Sequence, residues 1–142
     1  MDDLDRFVAQ DAFARLIGVE VPEYGDGRAT ARLTVEPRHL NSAGTLHGGV
    51  IFSLADVAFA AASNSHGDLA VSIDAGISYF LAVSDGVVTA EAREISRNPK
   101  LATYLIDITD DSGRLIAHFR GSVYRKSASI GEVLEREPGA AT

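Results

Sequence analysis

Apolar residues at Leu4, Phe7, Val8, Phe13, Leu16 and Ile17 recur close to the helical period, with acidic residues ahead of them and Gly18 just past the last. This spacing predicts one amphipathic helix over residues 3–17. The turn-forming run Glu23-Tyr24-Gly25-Asp26-Gly27 comes next, and over residues 28–35 polar and apolar positions alternate with period two, as in a strand with one buried face. Pro37 closes that strand. Over residues 48–63 nearly every side chain is apolar or small, so the helix predicted there is hydrophobic all round and is expected to be buried. Four more alternating or apolar segments follow, at 70–80, 86–95, 102–109 and 114–124. Ser84-Asp85-Gly86, Arg97-Asn98-Pro99 and Asp110-Asp111-Ser112-Gly113 separate them as turns.

The order helix, strand, buried helix and four consecutive strands predicts an α+β fold, with an antiparallel sheet wrapped on one long helix rather than alternating βαβ units. A chain of 142 residues, 46% hydrophobic and 23% charged, suffices for one domain with its own core. That domain is expected to span residues 1–126. Residues 127–142 carry a capping-box pattern at Ser129 and Glu132 but finish in Glu-Pro-Gly-Ala-Ala-Thr, so a frayed tail is expected.

Charge and cysteine usage narrow the function classes. Thirteen Lys and Arg against twenty Asp and Glu leave a net charge of -7, which opposes binding to nucleic acid or to an anionic membrane surface. The longest apolar run, residues 50–62, is interrupted by Ser53 and Asp56 and is too short to span a bilayer. With no basic and apolar leader at the N-terminus, a cytoplasmic setting is expected. The absence of cysteine removes disulfides, thiolate zinc sites and thiol nucleophiles together.

Chemistry concentrates in His39-Leu40-Asn41-Ser42-Ala43-Gly44-Thr45-Leu46-His47-Gly48-Gly49 and in Asp56 of the helix that follows. An ionised carboxylate on an apolar helix needs partners or a purpose, and a structural bond to a neighbouring loop competes evenly with catalysis. Gly48 and Gly49 stand where a loop enters a helix, so their N–H groups can face an oxyanion with the helix dipole behind them; a permissive turn is the plainer use of such a pair. His47 can polarise a carbonyl and Asn41 can hold a water, or both can be satisfied loop residues. If Gly48 starts the helix, Asp56 lies about 12 Å further along the axis, too far for both to reach one carbonyl. Two antiparallel copies of the helix across a two-fold axis would bring them together.

The pattern Asn41-x-x-Gly44-x-x-His47-Gly48-Gly49 followed by Asp56 resembles the hotdog-fold acyl-CoA thioesterases, in particular the phenylacetate-degradation branch. The likeness extends from about residue 10 to Lys126 and includes Phe52-Ser53-Leu54-Ala55-Asp56, the segment from Ala60 to Ser65, and Ala117-His118-Phe119-Arg120-Gly121. It implies a hotdog fold in which Asp56 is general base or nucleophile on a thioester carbonyl polarised by the Gly48 N–H. By the same resemblance Asn41 and His47, from the partner subunit, orient the thioester and water, and Ser72 matches a serine that holds water in a related branch. The chain departs from the family at Phe80-Leu81, followed by Ala82-Val83-Ser84 instead of Arg-Pro, and at Ala60, where some aryl-CoA thioesterases carry a hydroxyl.

Further substrate contacts are expected from Gly49, from Phe59 and Tyr79 beside the acyl group, and from Arg97 and Arg120 toward the CoA phosphates. Neither a metal-ligand spacing nor a nucleotide-cradling glycine motif is present, so no cofactor is expected beyond the CoA of the substrate. The implied activity is hydrolysis of an acyl-CoA, aryl or arylacetyl favoured, by a homodimer or homotetramer. A non-catalytic acyl-CoA-binding module is the alternative. A dehydratase would want a His-Phe-Pro signature that the loop lacks.

Overall fold

A computed structural model describes residues 1–136. Its N-terminal segment forms two short helices instead of one, α1 (Asp3–Ala9) and α2 (Ala12–Ile17). The break is a capping event: the Asp11 side chain accepts the Ala14 N–H at 2.9 Å, which ends the first helix and starts the second. Gly18, in the left-handed conformation at φ 83, closes α2.

The run read as a turn is in part a strand. β1 (Glu20–Gly25) pairs with β2 (Arg28–Thr34) through a tight connection in which Asp26 (φ 51) and Gly27 (φ 75) both take positive φ. Pro22 lies in β1 where the register shifts, and it is tolerated because β1 is a sheet edge. The chain then enters α3 (Gly48–Ser63) and continues as β3 (Asp68–Tyr79), β4 (Val87–Arg97), β5 (Leu101–Thr109) and β6 (Leu115–Ser129). All neighbours in the sheet, ordered β1-β2-β4-β5-β6-β3, are antiparallel. Every strand touches α3, so the sheet curls on one helix as the element order predicts.

Side-chain size sets the depth of that curl. Ala29 and Ala31 of β2 and Ala90 and Ala92 of β4 are buried small residues that let α3 approach, while Tyr104 and Phe119 fill the space under β5 and β6. The Phe59 ring lies 5.6 Å from that of Phe119 and 5.7 Å from that of Tyr104. A Cβ at Gly121 would stand 2.7 Å from the same ring, so glycine is required there.

The expected boundary at residue 126 falls inside β6, which runs to Ser129. Ser129 then accepts the Glu132 N–H and caps α4 (Ile130–Leu134). This helix packs on α1, with Ile130 buried and Arg6 bridging to Glu135 at 3.5 Å. Residues 127–136 are therefore part of the fold; the rest of the expected tail, 137–142, lies outside the described residues.

Candidate active site

The loop ahead of α3 is built on Asn41. Its Oδ1 accepts the N–H groups of Ala43 (2.9 Å) and Thr45 (3.1 Å), and its Nδ2 donates to the Thr45 hydroxyl at 3.0 Å. Gly44, at φ +77, makes the return that lets Leu40 bridge to Leu46. Asn41 thus shapes the loop with both ends of its amide.

His47 is the N-cap of α3, in extended backbone at φ -61 and ψ 133. Its Nδ1 accepts the Gly49 N–H at 2.8 Å, so in the neutral ring the proton sits on Nε2. Its carbonyl takes the N–H groups of Val50 (2.9 Å) and Ile51 (3.1 Å). Of the four N–H groups in the first turn, only that of Gly48 has no acceptor among the described residues. Gly49, expected to present a second donor, has already given its own to His47. Behind Gly48, the Tyr79 hydroxyl donates to the Gly48 carbonyl at 2.9 Å. A Cβ at Gly48 would stand 3.3 Å from Tyr79 Cζ, which accounts for glycine here without positive φ. A cavity of about 290 Å³ opens at this point, lined by Thr45, Gly48, Ile51, Tyr79, Phe80 and Leu81.

The second group, Asp56, corrects the expectation of a helix buried all round. Gly49, Ser53, Asp56 and Ala60 follow one another at helical spacing along α3 as an exposed or half-buried stripe, while Leu54, Ala55, Ala58 and Phe59 on the opposite side are buried. Asp56 meets water in the single chain, yet protein packed around it desolvates the carboxylate and raises its pKa above 3.8, with the Asp11 charge adding to the rise. The two observations are compatible: contact with water on one side does not restore full hydration. Asp11→Asn is expected to move the Asp56 pKa down while keeping the α2 cap, since asparagine caps as well as aspartate. A carboxyl-carbon NMR titration of Asp56 checks this, and an unchanged midpoint would remove Asp11 from the site.

The structure does not bring Asp56 to Gly48 within one chain. Both lie on α3, separated by about 12 Å of helix rise. Phe59, expected beside the acyl group, is instead a core residue under the sheet, because its position on α3 faces β5 and β6 and not the open stripe. Ser72 is exposed on β3. Arg97 lines a depression with His66, Asp68 and Arg125, and its Nε is 3.7 Å from Glu94. Arg120 lines a separate one with Gly76, Ser78 and His118. His39, which neighbours the motif in sequence, is buried and satisfied, accepting the Glu36 N–H at Nδ1 (2.9 Å) and bonding to the Ile17 carbonyl at Nε2 (2.7 Å). Among the described residues no three His, Asp or Glu side chains gather to hold a metal ion.

Sequence reasoning passed over Asp11 and the Tyr79–Gly48 bond. Asp11 carried a signal, a capping residue directly before Ala12-Phe13-Ala14, but the apolar spacing ran across it. The Tyr79 bond joins residues 31 apart and had none.

A six-stranded antiparallel sheet wrapped on a helix that opens with a free glycine N–H and carries one acid is the arrangement of a thioesterase, and a family model described as the thioesterase superfamily matches residues 43–117. The chain belongs to that superfamily, has its hotdog fold and is a hydrolase of thioesters. It is similar to the acyl-coenzyme A thioesterase PaaI of Escherichia coli, 34% identical over 121 residues that cover 84% of this chain and 86% of that one. A relative from Archaeoglobus fulgidus, named as a candidate esterase, is 43% identical over 122 residues, covering 85% and 79%. The solved structure of the E. coli PaaI protein from the phenylacetic acid degradation operon matches with a TM-score of 0.86 at 30% identity, over 89% of this chain and 93% of that one.

Proposed function

We propose that the protein hydrolyses acyl-CoA thioesters, aryl- or arylacetyl-CoA foremost, at composite sites formed between two copies of the chain. The observation that carries this reading is the Gly48 N–H, without an acceptor among the described residues, at the positive end of a 16-residue helix whose Asp56 it cannot reach within one chain. Two α3 helices packed antiparallel along their exposed stripes place the partner's Gly48 against Asp56, and repeat the arrangement at the other end.

The rest of the surface supports self-association. β3 is a 12-residue sheet edge, exposed along most of its length, and Ile73 (57% exposed) on it and Phe80 (54%) just beyond it are apolar. Such an edge invites pairing with another strand. Sedimentation distinguishes a dimer from a tetramer built of two such pairs.

In the composite site Asp56 either deprotonates a water or attacks the thioester carbonyl itself. A raised pKa suits the first role, because a base works best when its pKa approaches the ambient pH. Negative charge developing on the carbonyl oxygen is received by the partner's Gly48 N–H and the α3 dipole. The partner's His47 presents its Nε2–H toward the thioester side, and the partner's Asn41 keeps the loop in shape with one amide hydrogen to spare. Arg97 and Arg120 are the cations offered to the CoA phosphates, and Ser72 is a further hydroxyl for water. No metal or organic cofactor is called for, since base, donor and water complete the reaction. Work on acyl-CoA fits the cytoplasmic setting expected from the sequence. No described helix is long and apolar enough to cross a membrane.

The test is thiol release. The purified protein, offered acetyl-, hexanoyl-, benzoyl- and phenylacetyl-CoA, is expected to liberate free CoA with many turnovers and to favour the aromatic substrates. Tight binding by calorimetry with no thiol released from any of them would make it an acyl-CoA-binding module instead.

A further inference from the structure

Gly48 and Gly49 are joined by one peptide group, whose carbonyl belongs to Gly48 and whose N–H belongs to Gly49, and the two point in opposite directions. A ring holds each end. The Tyr79 hydroxyl donates to the carbonyl at 2.9 Å, and the N–H donates to His47 Nδ1 at 2.8 Å, so one line of hydrogen bonds runs from the end of β3 through the first turn of α3 to the imidazole. The glycines admit both rings. A Cβ at position 48 would stand 3.3 Å from Tyr79 Cζ, and one at position 49 would stand 3.0 Å from His47 Nδ1. Neither glycine takes positive φ, so what each supplies is space.

The line has a direction. A tyrosine hydroxyl facing a carbonyl can only donate, and desolvation raises the Tyr79 pKa above 10, so the proton that makes the bond stays in place. Donation to the carbonyl polarises the amide and makes its N–H a stronger donor, the cooperative strengthening expected of chained hydrogen bonds. That N–H meets the lone pair of Nδ1, which in the neutral ring is available only when the proton is on Nε2. Tyr79 therefore acts on a proton two hydrogen bonds away. Among the described residues Nε2 has no partner of its own, so no other contact selects the tautomer.

We propose that Tyr79 is a positioning residue for this reaction: through the peptide between Gly48 and Gly49 it fixes the His47 ring in the tautomer that leaves Nε2–H free for the thioester. The inference rests on the thioesterase reading above and names what sets its donor side. Gly48, His47 and Tyr79 come from one subunit, so the relay is complete in a single chain although the composite site is not. It gives Tyr79 a different task from the acyl contact expected from the sequence, because its hydroxyl is committed to the backbone.

Two variants of the full-length protein test this. Tyr79→Phe removes the hydroxyl and keeps the ring, while Gly49→Ala crowds the His47 ring from the other end of the peptide. NMR of protein isotope-labelled at the histidine ring nitrogens, at a pH above the ordinary histidine range, reads the tautomer directly, with the His47 signals assigned by their loss in His47→Gln. Wild-type His47 is expected to show an acceptor Nδ1 and a protonated Nε2. In Tyr79→Phe the two signals move toward each other as the second tautomer becomes populated, and in Gly49→Ala they move further. With phenylacetyl-CoA, Tyr79→Phe is expected to lower kcat about three- to tenfold, the worth of one neutral hydrogen bond, and to keep KM within about twofold. His47 signals indifferent to Tyr79→Phe, in protein with wild-type circular dichroism, would overturn the relay. A raised KM at unchanged kcat would make Tyr79 a substrate contact, and shifted signals with both constants unchanged would remove it from the reaction; either overturns the positioning role. The tautomer measurement needs no turnover, so shifted signals in a protein that releases no thiol from any acyl-CoA would leave the coupling of Tyr79 to His47 standing and count against the thioesterase reading alone.

Discussion

Asp56→Asn is expected to lower turnover of the best acyl-CoA substrate by at least about a hundredfold while leaving the fold intact, the loss typical of a missing general base. Asparagine keeps the shape of the side chain, and Asp56 makes no structural ion pair or side-chain hydrogen bond among the described residues, so nothing in the fold depends on the carboxylate. The stability consequence has a definite sign. Because the folded chain raises the Asp56 pKa above 3.8, the folded state holds that proton more tightly than the unfolded one, and stability contributed by the protonated form is lost as pH rises through the raised pKa. The asparagine variant escapes that loss and should melt at or above the wild-type temperature at neutral pH. The difference disappears on acidification below the ordinary carboxylate range. A well-folded variant with near-normal thiol release would give Asp56 another role.

The second large effect is at Gly48. Proline there removes the N–H, and losing one oxyanion donor costs about 10² to 10³ in rate. The backbone accepts the change: Gly48 is the first residue of α3, where proline is favoured, and His47 before it already has the extended conformation that a following proline demands. Crowding is the confounder, since any Cβ meets the Tyr79 ring at 3.3 Å. Gly48→Ala suffers the same contact and keeps the N–H, so it is the matched control. Turnover at saturating substrate is expected to be far lower in the proline variant than in the alanine variant, at equal circular dichroism. Equal, modest losses would mean that Gly48 supplies space alone and that His47 Nε2–H is the donor.

Much of this architecture was legible from periodicity. The long helix, the α+β order and the four final strands follow from patterns that a single chain must satisfy to bury its own core. What escaped was decided by interactions with no periodic signature. The Asp11 cap split a helix whose apolar spacing was continuous, and Pro22 with Gly25 disguised an edge strand as a turn. The extension of β6 through Lys126 to Ser129 has no alternation to announce it, and it is α4 that packs against this strand.

The site divided the same way. Residue type and spacing single out Asn41, His47, Gly48 and Asp56 as candidates, and under the proposed function the helix rise between Gly48 and Asp56 calls for a second copy. Which glycine N–H is free was beyond sequence, since it turns on the His47 ring accepting from Gly49. Composition likewise misjudged α3. An apolar helix with one acid reads as buried, but the chain leaves its Gly49–Ser53–Asp56–Ala60 side open, and apolarity does not say whether a face is covered by its own sheet or by a partner.

Mixing two inactive variants tests the composite site most directly. Asp56→Asn and Gly48→Pro proteins, combined in equal amounts and allowed to exchange subunits, form mixed pairs in which one site carries both defects and the other carries neither. Thiol release is expected to rise from near zero to about a quarter of the wild-type rate, the yield of random pairing with one intact site per mixed dimer. Activity that stays at the level of the separate variants after exchange has been verified by mass spectrometry would contradict a site shared between Asp56 and the partner's Gly48.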